Sequence, residues 1–256
     1  MKIINSVQNE TIKYYEKLKD KTFRKETGLF IIEGYHTVQE ALKTSLVDLV
    51  LSTDEEFLQK IEKQVKTCLV NDAIIKKLSN TKNPQNVVAI VKMFSTSDDQ
   101  LSLLIKENPK ELKIVAFDEI NDPGNLGTLI RTAAALGYQA VVLSKNSVDV
   151  FNDKTLRASQ GAIFKIKIIY TELDKALKYL HHENVKLIGT SLQKAKNLND
   201  VKRASRYLLC LGNEARGISS QILDLMDENI KLTMHNDVES LNVMIAGSII
   251  LYELAK

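Results

Sequence analysis

Short apolar runs alternate with stretches in which apolar residues recur every three or four positions, almost from end to end of this 256-residue chain. Runs of four to seven residues suit buried strands and amphipathic stretches suit helices, so their regular alternation predicts an α/β fold with a largely parallel sheet. In the first third, strands are expected at residues 29–32, 46–51, 67–70 and 87–93, with helices at 9–20, 35–44, 54–64 and 72–79. The pattern breaks after Met93 at Ser95-Thr-Ser-Asp-Asp99, and a polar stretch holding Asn108-Pro109 precedes the next strand. Such punctuation marks a boundary. The expected domains are therefore residues 1–94 and 113–256, joined by a linker over 95–112. In the second domain, strands are expected at 113–117, 140–143, 166–169, 186–189, 207–211 and 229–232, and helices at 126–136, 172–182, 219–226 and 239–254.

Composition narrows this picture. With 44% hydrophobic and 26% charged residues, the chain can bury a core and shows no sign of disorder. The net charge of +3 lies wholly at one end: residues 1–30 carry seven basic and four acidic side chains, and the remainder balances. Lys13, Lys17, Lys21 and Arg24 are interleaved there with Tyr14, Tyr15 and Phe23. That is the footprint of a surface meeting phosphates and unstacked bases, although a solvated lysine-rich helix has the same composition. Cys68 and Cys210 sit inside apolar runs and read as reduced core residues. The four histidines show no metal-ligand spacing, so no metal is expected. The start of the chain lacks the apolar core of a signal peptide, and the longest apolar stretch, residues 243–252, is half the roughly 20 residues needed to cross a bilayer. A soluble, cytoplasmic protein is expected.

Three blocks in the second domain share one form, an apolar strand running into small or amide-bearing residues. They are Asn121 to Thr132, Leu208 to Ile218, and Leu232 to Val243. In an open parallel sheet the strand ends lie on one edge, where ligands bind, so the three blocks can converge. The first is a glycine-punctuated turn followed by Arg131, yet it has neither the Lys-Ser/Thr of a phosphate-cradling loop nor a G-x-G-x-x-G fingerprint. Nucleotide hydrolysis and dehydrogenation are disfavoured accordingly. Taken singly, each block also has a purely structural reading: tight turns at Gly124 and Gly127, a helix cap at Asn125, an ordinary loop around Gly212 and Gly217, and backbone-bonding at Ser240 and Asn242.

Together the blocks are distinctive. Asp122-Pro-Gly-Asn-Leu-Gly-Thr-Leu-Ile-Arg-Thr-Ala133, Leu211-Gly-Asn-Glu-Ala-Arg-Gly217 and Glu239-Ser-Leu-Asn-Val243 resemble, in order, the three motifs of the SpoU (TrmH-like) RNA ribose methyltransferases, a branch of the SPOUT superfamily. Phe30-Ile-Ile-Glu-Gly-Tyr-His-Thr-Val-Gln-Glu-Ala-Leu42 looks like the start of the ribosomal-protein-like α/β substrate-binding domain often placed before them. The resemblance implies a C-terminal SPOUT domain with a parallel sheet and a trefoil knot, working as a homodimer through that domain. It implies methyl transfer from S-adenosylmethionine to a ribose 2′-hydroxyl of structured RNA.

By likeness to the family, Arg131 is the catalytic arginine. A guanidinium hardly deprotonates in a protein, so bridging phosphate and nascent alkoxide suits it better than acting as a base. Asn125, a turn and a half earlier, would help hold the ribose, Glu214 would orient Arg131, and Ser240 and Asn242 would complete the pocket. Matched motif to motif, Gly212, Leu232, Met234 and Leu241 would hold the cofactor, with Thr190 lining the same slot. Two departures touch loop rigidity: Thr233 stands where the family usually has proline, and Met244 where it has a small polar residue. A domain of this N-terminal type favours large-subunit (23S) ribosomal RNA as substrate, with transfer RNA as the alternative. A non-catalytic RNA binder would be expected to have lost Arg131, Glu214 or Asn242, and this chain keeps all three.

Overall fold

The computed structural model describes residues 2–192, 195–202, 204–234 and 241–256. The chain forms two compact units, Met1–Phe94 with Phe151–Phe164, and Ser95–Val150 with Lys165–Lys256.

The first unit runs β1 (Lys2–Ile4), α1 (Glu10–Glu16), α2 (Lys21–Thr27), β2 (Leu29–Glu33), α3 (Tyr35–Leu42), β3 (Val47–Ser52), α4 (Glu55–Gln59), β4 (Lys66–Val70), α5 (Asp72–Leu78) and β5 (Val87–Lys92). Its sheet, in the order β1-β4-β3-β5-β2, is mixed: β1 and β3 pair parallel with β4, whereas β5 runs antiparallel to both β2 and β3. This corrects the parallel expectation for this unit. Periodicity reports that a strand is buried, not which way it runs; Val87 to Val91 are fully buried, as a central strand of either direction would be. The helix expected over 9–20 is α only to Glu16, and a second helix that was not expected follows it. Asn9 caps α1 by accepting from the Thr11 N–H at 2.9 Å, a 3-10 turn covers Lys17–Lys19, and Asp20 then starts α2 by accepting from the Phe23 N–H at 2.9 Å. Gly28, at φ 66°, closes α2.

The second unit contains α6 (Gln100–Glu107), β6 (Leu112–Phe117), α7 (Pro123–Ala135) and β7 (Ala140–Ser144). The chain then enters the first unit for α8 (Asp153–Ser159) and returns with β8 (Lys167–Thr171), α9 (Leu173–His182), β9 (Lys186–Thr190), β10 (Lys196–Asn197), β11 (Arg206–Leu211), α10 (Ser220–Leu223), β12 (Glu228–Lys231) and α11 (Val243–Ala255). The stretch 95–112, expected to be a linker, instead carries α6. Its Leu101, Leu104 and Ile105 are buried in the same core as Ile114, Ala116, Leu177 and Leu208. Three apolar residues at helical spacing outweigh the flanking polar ones.

All seven strands of this unit are parallel, in the order β10-β12-β9-β11-β6-β7-β8. Their register aligns the carboxyl ends: Leu211 lies beside Phe117, Phe117 beside Leu143, and Thr190 beside Ile230. The loops leaving these strands therefore share one edge. Helices α6, α9 and α10 cover one face, and α7 and α11 pack together over the other. Gly247 of α11 makes that contact close, since a Cβ there would fall 2.7 Å from Leu211 Cδ1 and 2.9 Å from Leu129 Cδ2.

A buried pair of tyrosines locks α11 in place. The Tyr207 hydroxyl donates to that of Tyr138 at 2.9 Å, which donates to the Leu251 carbonyl at 3.0 Å. Burial pushes the Tyr207 phenol up to about 12. A phenol raised in the folded state stabilises the fold fully below its ordinary pKa of about 10 and loses that contribution as pH climbs through the folded value. Tyr138→Phe is expected to cost about 1–3 kcal/mol at neutral pH, measured by denaturant unfolding, because it leaves the Tyr207 hydroxyl unpaired in the core.

Candidate active site

Helix α7 begins earlier than expected. Asp122 is its N-cap, accepting from the Asn125 N–H at 2.8 Å, and Pro123 takes the first helical position, where its missing N–H is no loss. Gly124, Asn125 and Gly127 are thus residues of the first two turns, not of a loop. Two glycines weaken a helix by roughly 1 kcal/mol each, but the cap and the burial of Leu126, Leu129 and Ile130 outweigh them. In a helix of 3.6 residues per turn, six positions place Arg131 about 120° around from Asn125 and roughly 9 Å along the axis. The two side chains therefore leave α7 in different directions.

They also have different partners. The Asn125 amide donates to Glu214 at 3.2 Å, and the same carboxylate accepts from the Asn121 N–H at 3.2 Å and the Asp122 N–H at 3.1 Å. Glu214 thus steadies the entry to α7 and the side chain of Asn125, rather than orienting Arg131. Arg131 is exposed, and among the described residues nothing pairs with its guanidinium. Burial disfavours the charged form of Glu214, yet bonds from its own amide, the Asp122 N–H, the Asn125 amide and the Asn121 N–H together hold its carboxyl below the usual range. A depressed carboxyl contributes stability above its unfolded pKa and loses it as pH falls through the folded value. Glu214→Gln is accordingly expected to flatten the acid limb of the stability–pH profile, read from denaturant midpoints.

The loop after β11 is closed on itself. Asn213 and Gly217 exchange backbone bonds at 3.0 and 2.9 Å, and the Asn213 side chain accepts from the amides of Ala215 and Arg216 while donating to the Glu119 carbonyl at 2.8 Å. Asp118 accepts from the Ser219 N–H at 2.8 Å. These cross-ties make Asn213, Asp118 and Glu119 part of the site's framework. Asn213 was visible inside the second motif, but nothing in the sequence marks residues 118 and 119. Gly212 lies where backbone meets backbone: a Cβ there would overlap the Gly217 carbonyl carbon and the Ile218 nitrogen.

Of the residues expected to hold the cofactor, Thr190, Gly212, Leu232 and Met234 lie at or just beyond the ends of β9, β11 and β12, and Leu241 lies just before α11. Thr190 donates its hydroxyl to the Cys210 carbonyl at 3.3 Å, Leu232 and Met234 are half-buried, and Leu241 is exposed. Asn242 caps α11, its Oδ1 accepting from the Met244 N–H at 2.8 Å. Ser240 lies outside the described residues. So do residues 235–239. Thr233, the residue in place of proline, donates its hydroxyl to Asn197 Oδ1 at 3.3 Å.

In the first unit, the basic cluster is only partly as expected. Lys13 pairs with Glu10 at 3.1 Å, Lys17 stands 5.8 Å over the Phe23 ring, which in turn meets Tyr14 edge-on, and Lys21 is exposed. Arg24 is the correction: it is buried, donating to the carbonyls of Leu18 at 3.1 Å and Lys19 at 3.0 Å. Its role is to tie α2 to the preceding turn. Cys68 and Cys210 are buried free thiols, each with its pKa raised by burial. Among the described residues no cluster of His, Cys, Asp or Glu is arranged to hold a metal, and no helix is long and apolar enough to cross a membrane.

An all-parallel sheet whose strand-end loops gather amides and a carboxylate on one edge, with Arg131 further along α7 and unpaired among the described residues, is the arrangement of an α/β enzyme of the SPOUT class. The sequence profile of the SpoU rRNA Methylase family matches residues 112–252, and that of the MRM3-like substrate binding domain matches residues 9–89. The chain belongs to the SpoU methylase family. It is 34% identical to the 23S rRNA (guanosine(2553)-2′-O)-methyltransferase RlmP of Bacillus subtilis, over 99% of both chains. Among solved structures it is similar to the AdoMet-bound rRNA methyltransferase from Sinorhizobium meliloti, with a TM-score of 0.87 and 27% identity over 99% of this chain and 97% of that one. The fold is shared with the SpoU methyltransferase AviRb from Streptomyces viridochromogenes, solved in complex with AdoMet, at a TM-score of 0.84, 23% identity and 97% coverage of each chain.

Proposed function

We propose that this protein transfers a methyl group from S-adenosylmethionine to a ribose 2′-hydroxyl of large-subunit (23S) ribosomal RNA, as a cytoplasmic homodimer. The observation that carries this is similarity over 99% of both chains to RlmP, a 23S rRNA 2′-O-methyltransferase, with the first two motifs following β6 and β11 at one sheet edge. The N-terminal match to a substrate-binding domain favours ribosomal over transfer RNA as the substrate.

The residues fit the cofactor. Gly212 lets the loop after β11 close on the backbone of Gly217 and Ile218, and the apolar surfaces of Leu232, Met234 and Leu241 suit a flat base read by main-chain groups. When bound, the cofactor supplies an electrophilic methyl group. The chain's task is to hold the hydroxyl in line with it and stabilise the charge left as the hydroxyl loses its proton. Arg131 would bridge the adjoining phosphate and the nascent alkoxide, while Glu214 keeps Asn125 and the entry to α7 in place. Asn242 would complete the pocket.

The homodimer rests on α11. Ile245, Ile249 and Tyr252, spaced four and three apart, are 45%, 41% and 53% exposed and form an apolar stripe opposite the buried Gly247, Leu251 and Leu254. The angular separation of Arg131 from Asn125 suits the same arrangement, with Arg131 of one protomer serving the pocket of its partner. The trefoil knot belongs to this proposal also. The test is methyl transfer in vitro from labelled S-adenosylmethionine to deproteinised 23S RNA, followed by alkaline hydrolysis. Label in an alkali-resistant dinucleotide is expected, since a 2′-O-methyl group blocks cleavage; label released in mononucleotides, as base methylation would give, would refute ribose methylation.

A further inference from the structure

The tip of the loop after β11 presents a second arginine. Arg216 is 70% exposed and donates through Nη2 to the carboxylate of Glu119. A guanidinium has five N–H donors, and among the described residues no other partner takes the ones left over.

The pair is not needed to hold the loop. Asn213 already fixes the turn, through its backbone exchange with Gly217 and its side-chain bonds to the amides of Ala215 and Arg216. An exposed ion pair adds little to that. Glu119, by contrast, is fixed unusually well for a residue that only answers a surface charge. Its backbone sits at φ 59°, a left-handed conformation strained for any residue with a Cβ. Three further bonds hold it there: its N–H donates to Ser144 Oγ at 2.8 Å, its carbonyl accepts from Asn213 at 2.8 Å, and its carboxylate accepts from Asn146 at 3.0 Å. The carboxylate is thereby set at the end of β6, and it aims the guanidinium from the neighbouring loop. This is how an arginine is preorganised for an outside anion.

We propose that Arg216 binds a backbone phosphate of the RNA substrate, held ready by Glu119. The proposal rests on the RNA-methylating reading given above. A planar fork with unused donors matches a phosphate bidentately. The cofactor's carboxylate is the competing anion of like chemistry. Exposure favours the phosphate, because a small cofactor buries its contacts whereas a polymer backbone passes over the rim.

The test measures binding of deproteinised 23S RNA by filter retention across a range of KCl concentrations, and S-adenosylmethionine binding by calorimetry, for the full chain. Arg216→Gln is expected to weaken RNA binding roughly three- to tenfold and to lower the salt slope by about 0.7–0.9, the loss of one phosphate contact. Cofactor affinity should stay as in the wild type. Arg216→Lys should keep the slope, and so should Glu119→Gln, which removes the holder and not the charge that meets the phosphate. An unchanged slope in Arg216→Gln overturns the proposal. So does an equal loss of slope in Glu119→Gln, which would make the pair a structural strap, or a matching fall in cofactor affinity, which would assign Arg216 to the cofactor's carboxylate. If the wild type binds RNA but methylates none, the functional reading itself fails, an outcome separate from any of these.

Discussion

Replacing Arg131 by alanine is expected to lower kcat by on the order of 10²- to 10³-fold or more, the cost of removing a preorganised donor to developing charge. S-adenosylmethionine binding, followed by calorimetry, should be nearly unchanged. Arg131 is exposed, packs into no core and has no partner among the described residues, so its loss should not disturb the fold. Arg131→Lys keeps the charge without the planar fork and should recover only part of the rate. If Arg131 serves the partner's pocket, mixing inactive Arg131→Ala with inactive Asn242→Ala should restore activity, because each mixed dimer then contains one intact site. If Arg131 acts within its own chain, every pocket in the mixture stays broken. Full activity in Arg131→Ala alone would remove the arginine from the mechanism.

Gly212→Ala is expected to abolish measurable cofactor binding and to destabilise the protein by roughly 2–4 kcal/mol, in the range of overpacking and broken hydrogen-bond networks. The added methyl would land on the backbone of Gly217 and Ile218, and backbone cannot rotate aside as a side chain can. The loop must open, which would break the exchange between Asn213 and Gly217. It would also loosen the Glu214 carboxylate from Asn121, Asp122 and Asn125. Gly217→Ala is the informative contrast. Gly217 has φ 70° but open space around its Cβ, so the substitution should cost only the left-handed strain, about 1–2 kcal/mol. A Gly212→Ala protein with wild-type denaturation and cofactor affinity would show that the close approach is not what the site depends on.

Most strands are readable from the chain because they are apolar runs buried on the sheet; β12, with Ile230 alone buried, is the weakest of these. Two leave no signal: β1, three residues of which one is buried, and β10, two exposed residues that pair, among the described residues, with β12. Neither holds enough apolar residues to form a pattern. Helix starts were misread where glycine and proline pull in opposite directions: Pro123 after Asp122 is a start signal, and the glycines behind it hid the fact. For the candidate site, the motifs gather residues without giving their geometry. The motifs named Glu214, Asn125 and Arg131 together, yet only the structure shows that Glu214 bonds Asn125 and the backbone before α7. Arg24 failed for a different reason. Composition cannot separate an arginine that faces solvent from one that spends its donors on the carbonyls of Leu18 and Lys19.

The central claim, ribose methylation of large-subunit RNA, is tested most directly in cells. Total RNA from a strain lacking the gene and from its parent should be mapped for 2′-O-methyl groups at nucleotide resolution. The account predicts that one 2′-O-methylation in 23S RNA disappears and returns with the wild-type gene but not with Arg131→Ala. Loss of a transfer RNA methylation with every ribosomal site intact would contradict it.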